Sequence, residues 1–131
     1  MSDISGLHHI SIKSLGYEAY KKSFNFYHQV LGMPVIRTWG EGDRSGAMIG
    51  LGGLIMELGA NGTPYDAVGP INHIALRVSD TDAITEVVRA AGYPITTEPK
   101  NIVLASVPPF PARIAFCTGP SGESIEFFQE L

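Results

Sequence analysis

Residues 7–14, LHHISIKS, return later in the chain as residues 71–78, INHIALRV. His9 falls on His73, Ile10 on Ile74, Ile12 on Leu76 and Lys13 on Arg77. The match continues beyond these strands. A stretch of helical periodicity follows each one: Tyr20, Phe24, Tyr27 and Leu31 in the first half, and Ile84, Val87, Val88 and Ala91 in the second. Ser79, Asp80 or Thr81 can cap the second helix, and both helices meet the same stop, GMPVI at 32–36 and GYPIT at 92–96. Three strands are then expected in each half, near 34–39, 45–51 and 54–59 and near 94–98, 112–118 and 123–129, with an insertion at about 100–111. The last strands also correspond, GGLIMEL on SGESIEF, which places Glu57 on Glu126. Ordered similarity of this kind marks a duplicated architecture.

The expected fold is therefore α+β, built from paired βαβββ modules. Module 1 covers about 5–59 and module 2 about 70–131, joined by a linker at 60–70, within one domain of 131 residues. With 44% hydrophobic and 17% charged residues the chain has the make-up of a packed globular protein. A net charge of −4 gives no basic footprint for nucleic acid or for an anionic membrane, and no apolar run is long enough to span a bilayer. The N-terminus lacks the basic and apolar regions of a signal peptide. Cys117 has no partner and sits in the apolar segment RIAFCT, so it reads as a buried small hydrophobe and the chain as cytoplasmic.

Alternation along the first strand of each repeat puts Ile10 and Ile12 on one face and His9, Ser11 and Lys13 on the other. It likewise separates Ile74, Leu76 and Val78 from His73, Ala75 and Arg77. The histidine face is polar, so it lines water, a ligand or an ion. Glu57 and Glu126 each lie in a strongly apolar strand, where a carboxylate needs a counter-charge or a metal. Two imidazoles and two carboxylates form a donor set for one divalent cation, so His9, Glu57, His73 and Glu126 are the candidate ligands. Four protein ligands on an octahedral ion leave two positions for neighbouring substrate oxygens. Lys13 and Arg77 are expected to flank the ion, where they would either bind an anionic substrate or balance the glutamates. His8 is expected on the face opposite His9, and His28 on the helix, both structural. Trp39, Tyr65 and Phe110 are candidates for a pocket wall or for packing.

The segments LHHISI, SFNFYHQVLGMPVIRTW, LIMEL, INHIALRVSD, AAGYPI and PSGESIEFFQ resemble the vicinal oxygen chelate superfamily, which includes glyoxalase I, extradiol dioxygenases and resistance proteins. The ligand order His, Glu, His, Glu is closest to glyoxalase I-like proteins. That resemblance implies that the paired modules form a curved mixed sheet around one divalent metal (Ni, Zn or Co, with Mn or Fe as further candidates) bound by His9, Glu57, His73 and Glu126. It implies a small substrate with vicinal oxygens and proton transfer through an enediolate, with Glu126 as first candidate for the base and Glu57 as second. Lys13 stands where glyoxalase I has an arginine for glutathione, and Asn61 matches a further glutathione contact, so a thiol such as glutathione is a candidate co-substrate. A homodimer is implied, with the site within one chain or shared across the interface. The alternatives are an epimerase or racemase of the same chemistry, or a drug-binding protein of the bleomycin-resistance type.

Overall fold

The computed structural model describes residues 8–64, 73–106 and 108–131, and the chain divides into two compact units, Met1–Tyr65 and Asp66–Leu131. Of the expected linker, residues 65–70 lie outside the described residues, as do Leu7, Tyr65 and Ile71.

The first unit runs β1 (His9–Lys13), α1 (Gly16–Phe24), a π-helical turn (Asn25–Val30), β2 (Val35–Trp39), a 3₁₀ turn (Gly42–Arg44), β3 (Gly46–Leu51) and β4 (Leu54–Gly59). Its four strands form one sheet in the order β1-β4-β3-β2, with β1 parallel to β4 and the other pairs antiparallel. The alternation read from the sequence holds. Ile12, Met56, Leu58, Ala47 and Ile49 are buried together with Tyr20, Phe26 and Tyr27, while His9, Ser11 and Lys13 are exposed. Burying the Phe26 ring alone stabilises this core by roughly 1.5–3 kcal/mol.

The helical stripe departs from expectation. Regular α-helix ends at Phe24, and the next turn is wider, with the Leu31 amide donating to the Phe26 carbonyl five residues back at 2.9 Å. This π turn holds an extra residue, so Phe26 and Tyr27 are both fully buried and Leu31 is pushed toward the surface. Gly32 then ends the helix at a φ of 74°, where an L side chain would be strained.

The second unit repeats the order with β5 (Ile74–Arg77), α2 (Thr81–Ala90), β6 (Ile95–Leu104), β7 (Phe110–Thr118) and β8 (Ser124–Glu130), in a sheet ordered β5-β8-β7-β6. Asp80 is the cap, its Oδ1 accepting from the Ala83 amide at 3.0 Å. The buried face of α2 carries Thr81, Thr85 and Val88, whereas Val87 and Ala91 are exposed. Reading apolar residues alone rotates this face. The two threonines can be core residues because their hydroxyls donate to the carbonyls of Arg113 (2.8 Å) and Thr81 (2.7 Å). The segment 100–111 is also different from the expected insertion. Residues 100–104 pair with 110–114 and lengthen β6 and β7 into one long hairpin. Cys117 is fully buried on β7, and burial pushes its thiol up to about 12, so it is an inert core residue. Among the described residues no helix is long and apolar enough to cross a membrane.

Candidate metal centre

The two sheets repeat a register as well as an order. In the first, Ser11 of β1 lies beside Glu57 of β4, which pairs with Met48 of β3. In the second, Ala75 of β5 lies beside Glu126 of β8, which pairs with Phe116 of β7. Each histidine sits two residues before the partner of its glutamate, on the same face. The side chains meet accordingly. His9 Nε2 stands 3.7 Å from Glu57 Oε2, and His73 Nε2 stands 3.5 Å from Glu126 Oε1. Both separations exceed a good hydrogen bond. They are near the roughly 3.0–3.4 Å between two donor atoms that share one ion at about 2.1 Å. An imidazole nitrogen and a carboxylate oxygen turned toward each other in this way fit a divalent cation. Among the described residues no group of three or more His, Cys, Asp or Glu is placed to hold a metal ion by itself. Each unit holds one such His–Glu pair.

The two carboxylates have unequal surroundings. Lys13 Nζ donates to Glu57 Oε1 at 3.3 Å, and the Ser11 hydroxyl reaches the same oxygen at 3.4 Å. In the second unit Ala75 offers no hydroxyl at the Ser11 position. Arg77, in the place of Lys13, turns to Glu130 at 3.5 Å. Glu126 is nearly buried, and desolvation lifts its pKa above the ordinary carboxylate value. The facing His73 only partly offsets this. The His73 and Phe116 rings meet edge to face, with 5.4 Å between centroids.

Asn61 joins Lys13. It bridges Leu15 just past β4, and a Cβ built on Gly59 would stand 2.9 Å from Asn61 Oδ1 and 3.1 Å from Lys13 Nζ. Lys13 and Asn61 thus gather beside Glu57, while the exposed Arg77 pairs away from Glu126. A cleft of about 520 Å³ in the first unit opens between α1 and residues 38–45, and its walls include neither His9 nor Glu57.

His8, expected on the face opposite His9, lies against it instead. His8 Nδ1 lies 2.9 Å from His9 Nδ1. If the His9 Nδ1–H donates to His8, the His9 Nε2 lone pair is left facing Glu57, which is the tautomer a metal ligand requires. Strand alternation placed His8 on the other face, but His8 precedes β1, so alternation does not govern it. His28 is structural as expected, its Nδ1 standing 2.7 Å from the Met33 carbonyl.

The family model of the Glyoxalase/Bleomycin resistance protein/Dioxygenase superfamily matches residues 6–127. A relative from Vibrio parahaemolyticus serotype O3:K6, named "Probable lactoylglutathione lyase", is 34% identical over 116 residues, covering 82% of this chain and 80% of the relative. Among solved structures, a trypanothione-dependent glyoxalase I from Leishmania major has a TM-score of 0.69 at 24% identity, covering 97% of this chain and 88% of its own. An antibiotic-binding protein from Streptomyces sp. CB03234 has a TM-score of 0.73 at 20% identity, covering 100% of each chain. These two likenesses establish the α+β fold.

Proposed function

Given that the chain belongs to the Glyoxalase/Bleomycin resistance protein/Dioxygenase superfamily, we propose that it is a metal-dependent lyase or isomerase of the glyoxalase I type, acting on a small molecule with neighbouring oxygens. The observation that carries this reading is the His–Glu pair repeated at one register position in both units, with unlike surroundings for the two carboxylates. The name of the Vibrio relative supports it.

In this reading His9, Glu57, His73 and Glu126 hold one divalent cation, with Ni, Zn or Co favoured over Mn or Fe. When bound, such an ion acts as a Lewis acid toward two substrate oxygens. Glu126, released from the ion, would remove the proton from the carbon beside the carbonyl and return it to the former carbonyl carbon, while the hydroxyl proton passes to the former carbonyl oxygen. In the metal-free chain burial disfavours its ionised form. Glu57 is the second candidate, restrained by the Lys13 ammonium and the Ser11 hydroxyl. Lys13 and Asn61 bind the non-reacting part of the substrate, with Arg77 as a further contact and a thiol such as glutathione as the candidate co-substrate. The protein works as a cytoplasmic homodimer, its ligands drawn from one chain or from two.

The test is metal analysis of the purified protein, followed by NMR of α-hydroxycarbonyl and hemithioacetal substrates in heavy water. Metal-dependent exchange of the proton next to the carbonyl supports the reading, and the product separates isomerisation from epimerisation. A protein that holds no stoichiometric metal but binds drugs tightly would instead be a sequestering protein.

A further inference from the structure

Trp39 pairs with Gly46, Gly46 with Gly59, and Gly59 with Lys13, so β2, β3, β4 and β1 place these four residues in one row across the first sheet. Residues directly opposite each other share a face. Gly59 lies two residues beyond Glu57, so the row lies on the Glu57 face. A Cβ on Gly46 would collide with Cε2, Cζ2 and Nε1 of the Trp39 indole, so the ring lies over this glycine. Lys13 and Asn61 lie over Gly59 in the same manner. Two adjacent glycines therefore let an aromatic ring, an ammonium and an amide fold down over the sheet side by side.

The fold does not require this arrangement. In the second unit the corresponding row is Arg77, Phe128, Ile114 and Lys100. Two large side chains replace the two glycines there, and Phe128 packs on Phe110 with 5.8 Å between ring centroids. In the first unit Trp39 borders the α1 cleft yet stays 41% exposed, and the Lys13 side chain reaches Glu57 at 3.3 Å yet stays 44% exposed, so each still presents surface to solvent.

We infer that Trp39, Lys13 and Asn61 form the specificity platform of the proposed enzyme, and that its substrate joins a flat aromatic or conjugated group to an anion through a short linker. The inference rests on the function proposed above and names its substrate class. The indole supplies a stacking surface. Lys13 supplies a point charge for a carboxylate, and the Asn61 amide adds a donor. Strand spacing puts the Trp39 and Lys13 backbones roughly 14 Å apart. Both side chains lean inward over the paired glycines, so the indole and the ammonium stand one strand spacing (~4.8 Å) apart, a span that a ring, two bonds and a carboxylate cover.

Trp39 is the only tryptophan, so its indole N–H gives a single resonance that reports on the platform. The probes are 3-phenylpropanoate, 3-phenylpropan-1-ol, which lacks the charge, and 3-cyclohexylpropanoate, which lacks the flat ring. Each is titrated into the full chain in the presence of a chelator. The expected result is saturable movement of the indole peak, with 3-phenylpropanoate binding about tenfold more tightly than either of the others. Lys13→Met should bring 3-phenylpropanoate down to the level of the alcohol. Trp39→Leu, followed through the Asn61 side-chain amide, should abolish the preference for the flat ring, and Trp39→Phe should restore most of it. Equal binding of all three probes, or no movement at millimolar concentration, overturns the inference. So does an indole peak that moves with protein concentration alone, because a second copy would then cover the ring. Proton exchange in heavy water is scored separately. Exchange without platform binding sinks only this inference, and platform binding without metal-dependent exchange sinks only the proposed reaction.

Discussion

Glu57 meets His9, Ser11 and Lys13, whereas Glu126 meets His73 in a nearly buried setting. This contrast gives Glu126→Gln two opposite consequences. As the proposed base, its loss should slow substrate proton exchange by on the order of 10²–10⁴-fold, measured by NMR in heavy water. Burial lifts the Glu126 pKa, so the folded state holds this proton more tightly than the unfolded chain. The associated stability is present at low pH and is lost as pH rises through the lifted value. Near neutral pH the carboxylate burdens the metal-free fold, and Glu126→Gln should therefore raise its Tm in a calorimetric scan. His73 opposes the lift, so His73→Ala should raise the Glu126 pKa further, followed by carbon NMR of the carboxyl. His8→Ala should weaken metal binding roughly 10-fold or more by calorimetric titration, through loss of the contact that orients His9, with circular dichroism unchanged. At this scale the His–Glu pairs were legible because the repeat set each residue against its counterpart. His8 was not, since its contact depends on chain direction before β1. Nor was the Trp39 arrangement, because cross-strand neighbours follow from register, and no local pattern sets Gly46 against Trp39.

At the scale of elements, α2 depends on its first turn. Asp80→Ala removes the acceptor for the Ala83 amide and should destabilise the protein by about 1 kcal/mol in urea unfolding. The strands of both units were readable from alternation and repetition, and the βαβββ order followed. The helices were readable in place and partly in face: Tyr20, Tyr27 and Val88 are buried as expected, whereas Leu31, Val87 and Ala91 are not. The π turn at Asn25–Val30 breaks the 3.6-residue period on which a stripe is counted. In α2 the core face is carried by Thr81 and Thr85, polar residues whose hydroxyls are satisfied by carbonyls. The two strands of the β6–β7 hairpin were expected near 94–98 and 112–118, but its extension through 100–104 and 110–111 was not, because KNIVLASVPPFP combines prolines with polar residues and reads as a loop. Its pairing is imposed by the partner strand rather than by local preference.

For the molecule as a whole, two exposed carboxylates shape the acid limb of stability. The Arg113 guanidinium holds Asp82 below the usual range, and the Arg89 guanidinium does the same for Glu98. Their contribution is complete above the ordinary carboxylate pKa and disappears as pH falls through the depressed folded values. The urea midpoint should drop as pH falls through and below the ordinary carboxylate range, and the double variant Asp82→Asn, Glu98→Gln should flatten that drop. Metal added at about 100 times its Kd should stabilise the protein by about 2.7 kcal/mol, reversed by a chelator, as read from thermal melts. The buried thiol of β7 has one more use. Cys117 is the sole sulfhydryl in the chain, and with its pKa at about 12 it stays almost wholly un-ionised at physiological pH. An alkylating reagent would consume it only when β7 separates from its neighbours. The speed of that consumption would clock transient openings of the second unit, while the first, carrying no such group, stays silent.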